Sequence, residues 1–157
     1  MCRITNKLNY GNGGIMDIVN VLKNKKIKVT EIPKWGVYLR KQWEDNFADN
    51  LSSEEKENIY LHNRNGYCGY LWHLFSYEKR DCLQGKDAEE AFNNVNKDFC
   101  YIFYQHSDYA LILENGAYLN SKDLEDEDDI YVTDKDFSWT YVNTHERGWC
   151  GPYFSRK

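Results

Sequence analysis

Apolar positions along the chain change their spacing near residue 98. Before that point they recur at helical intervals. After it they alternate or run together, as in strands. Ile18, Val21 and Leu22 predict a short helix over residues 17–25, and the alternation through 27–32 predicts a strand that joins a sheet edge. Pro33 ends that strand and suits the first turn of a following helix. The clearest helix covers 34–50, where Leu39, Trp43, Phe47 and Leu51 recur every four residues and Trp35 and Tyr38 extend the stripe. Ser52 with Glu55 three positions later is a capping box for a short helix to about residue 60. Tyr67, Leu71, Leu74, Phe75 and Cys82 share one face of a helix over 67–83, with Gly85 as its C-cap and Glu78 near the centre of the stripe. One more helix carries Ala88, Ala91, Phe92 and Val95.

The second part of the chain reads as β. Residues 99–104 are apolar on both faces and predict a central strand. Residues 109–113 form its hairpin partner, and 130–133 and 137–142 are two more strands. A short helical turn is expected at 121–124. Phe137, Trp139 and Tyr141 should share one face of the last strand. The tail, 148–154, is apolar enough to pack back on the domain. Helices segregated from a run of strands argue for α+β. The expected fold is a single α+β domain, with helices packed on one face of a four- to five-stranded, mainly antiparallel sheet.

Composition sharpens this picture. The 157 residues suit one domain and carry a net charge of −5. The charge is uneven: +7 over residues 1–41 and −12 over 42–157. An acidic body argues against nucleic-acid polymers, whose phosphates need a basic surface. The acidic run 123–129 reads as a solvated loop, and Asp128 at its sixth position excludes an EF-hand. Residues 1–15 lack an apolar period. They end in Gly11-Asn12-Gly13-Gly14 without the Gly-Lys-Ser/Thr of a phosphate loop. They read as a flexible leader, with Met16 as the natural start and 16–157 as the domain. Five cysteines, no CxxC and no long apolar run point to a reduced, cytoplasmic protein off the membrane.

Aromatic side chains make up 16% of the chain. Most belong to the core, but those on helix flanks and strand ends are candidates for a ligand site. Tyr70, Trp72, His73, Tyr77, Tyr104 and Trp139 are the residues expected to line it, and the ligand class that suits them is a nucleotide. His106, His145 and Cys150 are candidates for Cys/His nucleophilic catalysis, with Glu146 or Asp108 as orienting groups. A plain meander would leave the two histidines at opposite ends of the sheet. They meet only if the 115–129 connection crosses over and makes its flanking strands parallel. His62, Cys68 and His73 have no standard zinc spacing, and no metal or cofactor is expected.

Several segments resemble a known family. These are Lys34-Trp35-Gly36-Val37-Tyr38-Leu39-Arg40, the run from Gly66 to Ser76, Cys100-Tyr101-Ile102-Phe103-Tyr104-Gln105, and Asp129-Ile130-Tyr131-Val132. Phe137-Ser138-Trp139-Thr140-Tyr141-Val142, Thr144-His145-Glu146 and Cys150-Gly151-Pro152-Tyr153-Phe154 complete the likeness. The family is one of small bacterial proteins catalogued as domain of unknown function 4275. The resemblance runs from about Trp35 to Phe154 and brings no activity and no catalytic residues. Its layout is similar to that of small immunity and prophage-borne accessory proteins, an analogy of architecture only. The leading expectation is therefore an immunity-like or accessory factor that binds a protein partner with a basic surface without catalysis. A nucleotide-binding or sequestering protein is the first alternative. A Cys/His-dependent hydrolase or transferase is the second.

Overall fold

Antiparallel pairing of seven strands builds one open sheet. The strands are β1 (Lys28–Glu31), β2 (Leu83–Gln84), β3 (Phe99–Tyr104), β4 (Ala110–Glu114), β5 (Ile130–Thr133), β6 (Trp139–Asn143) and β7 (Tyr153–Arg156). Their order across the sheet is β1-β4-β3-β5-β6-β7-β2, and every neighbouring pair is antiparallel. The structure is a computed structural model and describes residues 13–62 and 69–157. Residues 1–12 of the expected leader, and Tyr67 and Cys68, lie outside the described residues. Helix α1 (Gly13–Asn24) begins within that leader.

The sheet is wider than the four or five strands expected. The added strands are β7, which the tail forms by pairing with β6, and the two-residue β2, too short to carry any period. The early strand does take an edge, as β1.

Helices also cover both faces rather than one. The reason lies in β3. Its residues Cys100 and Ile102 point one way and Phe103 the other, and all three are fully buried. A strand apolar on both sides needs cover on both sides. On the first face, α1 and α5 (Gly85–Asn94) bring Ile18, Leu22, Ala88 and Phe92 against Ile102, Leu111, Leu113, Val132 and Tyr141. Phe92 stacks on Tyr141 with centroids 4.2 Å apart. On the second face, α2 (Gly36–Phe47) and the single turn α4 (His73–Ser76) bring Leu39, Trp43, Phe47, Leu74 and Phe75 against Phe103, Ala110, Tyr131, Val142 and Tyr153. The result is a single α+β domain. No helix among the described residues is long and apolar enough to cross a membrane.

Local differences from the pattern have local causes. The helix expected over 67–83 shrinks to α4, because turns on either side bury Leu71, Trp72, Leu74 and Phe75 without a continuous helix. Glu78 is exposed, at φ +57° in the turn that follows. Gly85 does not end a helix but starts α5, at φ +60°. Trp35 and Tyr38 stand out in solvent instead of extending the α2 stripe. Phe137, at φ +53°, joins the second face while Trp139 and Tyr141 stay on the first. The Ser52–Glu55 capping box forms as expected and opens α3 (Ser53–Asn58). The helical turn at Ser121–Leu124 is present.

Candidate functional site at one end of the sheet

The connection after β4 crosses over β3. As a result β4 and β5 lie on either side of β3 and run parallel to each other. This is the arrangement under which His106 and His145 can meet. β3 and β6 both finish at the same end of the sheet, and each histidine follows its strand there. Tyr70 sits between them, with its ring 5.2 Å from His106 and 5.1 Å from His145. Trp72 lies 5.3 Å from Tyr70 and 5.9 Å from His145, and His73 lies 4.6 Å from Trp72. Tyr77 closes the row at 5.5 Å from His73. Four of the six expected ligand-site residues therefore gather in one cluster with both histidines.

The other two do not join it. Trp139 packs beneath Phe92 and Phe154 on the first face of the sheet. Tyr104 is buried on that face too, with its hydroxyl donating to Glu127 at 3.3 Å. Both belong to strands whose alternation turns them away from the cluster.

What organises the cluster is Asp129, the residue before β5. It is only 8% exposed and holds φ +52°, a left-handed conformation that Asp tolerates. Its Oδ1 accepts the Trp72 indole N–H at 2.9 Å and the His145 backbone N–H at 3.2 Å. His145 Nδ1 lies 2.9 Å from both carboxylate oxygens. The Asp129 carbonyl also accepts the Gln105 N–H at 3.0 Å. One buried acid thus ties together the segment before α4, the β3–β4 loop and the β6–β7 loop. A carboxylate so placed needs such donors to offset its lost hydration.

A second knot sits below it. Tyr131, at the heart of the second face, donates to Gln105 Oε1 at 2.5 Å and accepts the Trp72 backbone N–H at 3.1 Å. Gln105 Oε1 also accepts the Leu71 N–H at 2.9 Å. From α2, Arg40 donates to the Tyr104 and Ser107 carbonyls at 2.9 and 2.6 Å and faces Asp108 at 3.5 Å. Gly36 lets α2 start this close to the loop, since a Cβ there would meet the Ser107 carbonyl at 2.3 Å.

A family comparison can now be set beside this geometry. The matching family is described as Domain of unknown function (DUF4275), and its sequence model covers residues 16–154. The chain belongs to this family. No curated protein and no solved structure matches it.

The electrostatics of this DUF4275 site divide its histidines. The hydrogen bond to Asp129 raises the His145 pKa, and the charges of Asp129, Glu146 and Asp128 add to it against the effect of burial. Burial lowers the pKa of His106 against the opposing charge of Asp129, and the nearby Arg40 and His145 add to the lowering. Burial lowers His73 as well. Cys150 enters differently. Its thiol meets Glu146 and Tyr153, and its pKa is raised, first by burial and then by Glu146. A nucleophilic thiol needs the opposite shift. His145 meanwhile directs Nδ1 at Asp129, and its Nε2 lies 3.7 Å from Glu146.

Beside the cluster, between α2 and residues 61, 62, 69 and 71, lies a cleft of about 530 Å³. Val37, Leu61 and Leu71 supply its apolar wall, and Arg40, Gln105 and His106 its polar one. His62 also lines it and bonds Glu44 at 3.1 Å, and Cys68 lies outside the described residues. Among the described residues no group of three or more His, Cys, Asp and Glu is arranged to hold a metal ion.

Sequence reading missed Asp129, Gln105, Tyr131 and Arg40. Asp129 carried one usable signal. It is the last acid of the run and directly precedes a strand whose four residues are all buried.

Proposed function

We propose that this chain is a binding protein that engages a protein partner with a basic surface at the histidine end of its sheet. The observation that carries the reading is the company kept there by exposed rings. Trp35, Tyr60, Tyr77 and Trp149 all border that end and are 43%, 58%, 46% and 91% exposed. Trp and Tyr at the centre of an interface supply much of its binding energy. Exposed carboxylates stand among them, from Asp108, Asp126, Asp128 and Glu146. Their charge is part of the chain's net −5 and suits a basic partner, chiefly by raising the rate of encounter. Such a device fits an immunity-like or accessory factor acting without catalysis.

Site-specific photo-cross-linking in the native cell tests this. A photoreactive residue at Trp149 or Tyr77 should trap one basic protein, whereas the same residue at Tyr118, exposed beyond β4 at the opposite end, should not. Equal yields from both ends, or no adduct at either, would refute the reading.

The cleft favours a second reading, a small ligand of the nucleotide type. Gln105, whose Oε1 is occupied by Tyr131 and Leu71, lines the cleft and brings an amide N–H2 as a donor for it. An acceptor-bearing ligand would accept from that donor. A thermal-shift screen across nucleotides decides the matter, because a ligand at 100 times its Kd stabilises by about 2.7 kcal/mol. No shift from any nucleotide retires it.

A further inference from the structure

We propose that the junction of Asp129, His145 and Trp72 is a proton-operated latch on the docking end. With one proton on the histidine cluster, held by His145, the 144–152 loop and the Trp72 segment are pinned to Asp129. Loss of that proton, or gain of a second one on His106 or His73, loosens them. The inference rests on reading this end as the docking surface, and it names how that surface is regulated.

The geometry supplies both halves of the device. Asp129 is buried and receives three donor groups, two of them from His145 and one from Trp72. His145 keeps 36% of its side chain in solvent, so protons reach it freely. Its charge therefore responds to pH while its partner stays out of water. The groups that face it come from every neighbouring element. Asp128 and Asp129 precede β5, and Glu146 follows in its own loop. His106 comes from the β3–β4 loop with Arg40 of α2 behind it, and His73 comes from α4. Tyr70 and Trp72 fill the space between.

The two limbs of the pH response have opposite signs. His145 has a folded pKa above its ordinary 6.5. Its contribution is complete below pH 6.5 and is lost as pH rises through the folded value. His106 and His73 have folded values below 6.5. Their protonation costs stability as pH falls from 6.5 through those values, chiefly because burial disfavours the charged ring, and a second imidazolium would also stand near His145. The latch is tightest near pH 6.5.

Hydrogen exchange on the isolated full-length chain tests this, corrected for the intrinsic pH dependence of exchange. Protection of the amides of residues 145–151 should peak near pH 6.5 and fall several-fold on either side between about pH 5 and 8.5. His145→Gln should remove the alkaline limb, and His106→Asn should weaken the acid limb. In the wild-type chain, the Trp72 indole proton should titrate with the same midpoint as His145, a readout that needs no variant. Protection that stays flat across this range, or a Trp72 indole that ignores the His145 titration, overturns the latch. No partner is present in these measurements, so a negative result leaves the cross-linking test of the docking surface intact.

Discussion

The two ends of the sheet differ in how their loops are tied: at the site end the long bonds share a few common partners, and at the other end they do not. At the end opposite the site, the turns are closed by local ties, and the longer bonds there, such as Lys25 to the Tyr118 carbonyl across 93 residues and Lys28 to Glu114, share no common partner. Asp134 accepts the backbone N–H groups of Ser138 and Trp139, at 2.7 and 3.3 Å, and so closes the β5–β6 turn. Asn96 accepts the Asp98 N–H at 2.8 Å, and buried Lys97 donates to the carbonyls of Phe92, Asn93 and Val95 at the end of α5. None of these local bonds spans more than five residues. At the site end the bonds from Trp72 to Asp129 and Tyr131 span 57 and 59 residues, that from Leu71 to Gln105 spans 34, and those from Arg40 span 64 and 67. Local ties close small loops at little entropic cost and form with their hairpin. Long ties form only when the whole sheet is assembled, and because they share Asp129, Gln105 and Tyr131 they can fail together. Segments of that kind open as units, which suits a surface meant to respond.

Breaking the Asp129 hub should give the largest effect. Asp129→Ala leaves the indole N–H and the His145 donors without their acceptor and puts an alanine at φ +52°. It should cost about 3 kcal/mol in urea unfolding. Asn tolerates the backbone angle, so Asp129→Asn should cost roughly half as much. Tyr131→Phe removes one hydroxyl that joins Trp72 to Gln105, and should cost about 1–2 kcal/mol. Asp134→Ala at the other end should cost about 1 kcal/mol, the usual scale for a lost local cap, with the His145 titration unmoved. Combined with Asp129→Asn, it should add within about 0.5 kcal/mol, because distant sites act independently. Lys41→Ala breaks an exposed ion pair with Asp45, screened by water, and should leave the urea midpoint where it is in the wild-type chain.

The same division explains what could be read from the sequence. The capping box at Ser52, the α2 stripe of Leu39, Trp43 and Phe47, and the double-sided β3 are local patterns, and all three stand in the structure. The convergence of Tyr70, Trp72, His73 and Tyr77 with His106 and His145 depended on one topological condition, and the crossover over β3 meets it. What stayed hidden was set by distance along the chain. Asp129 looks like any other acid in the 123–129 run until Trp72 and His145 are brought to it. Gln105 has no pattern of its own. β2 and β7 carry no strand pattern of their own because their pairing partners, rather than their own residues, make them strands. Cover on one face does not suit a strand as apolar as β3, because residues 99–104 are apolar on both of its sides.

Hydrogen exchange of Asp129→Asn against the wild-type chain tests the central claim, that one buried acid holds the docking end together. Amides in 69–72, 105–109 and 144–151 should lose protection together in the variant, while those in 95–98 and 134–138 keep theirs. Loss confined to the residues next to position 129, or an equal loss at both ends of the sheet, would contradict it.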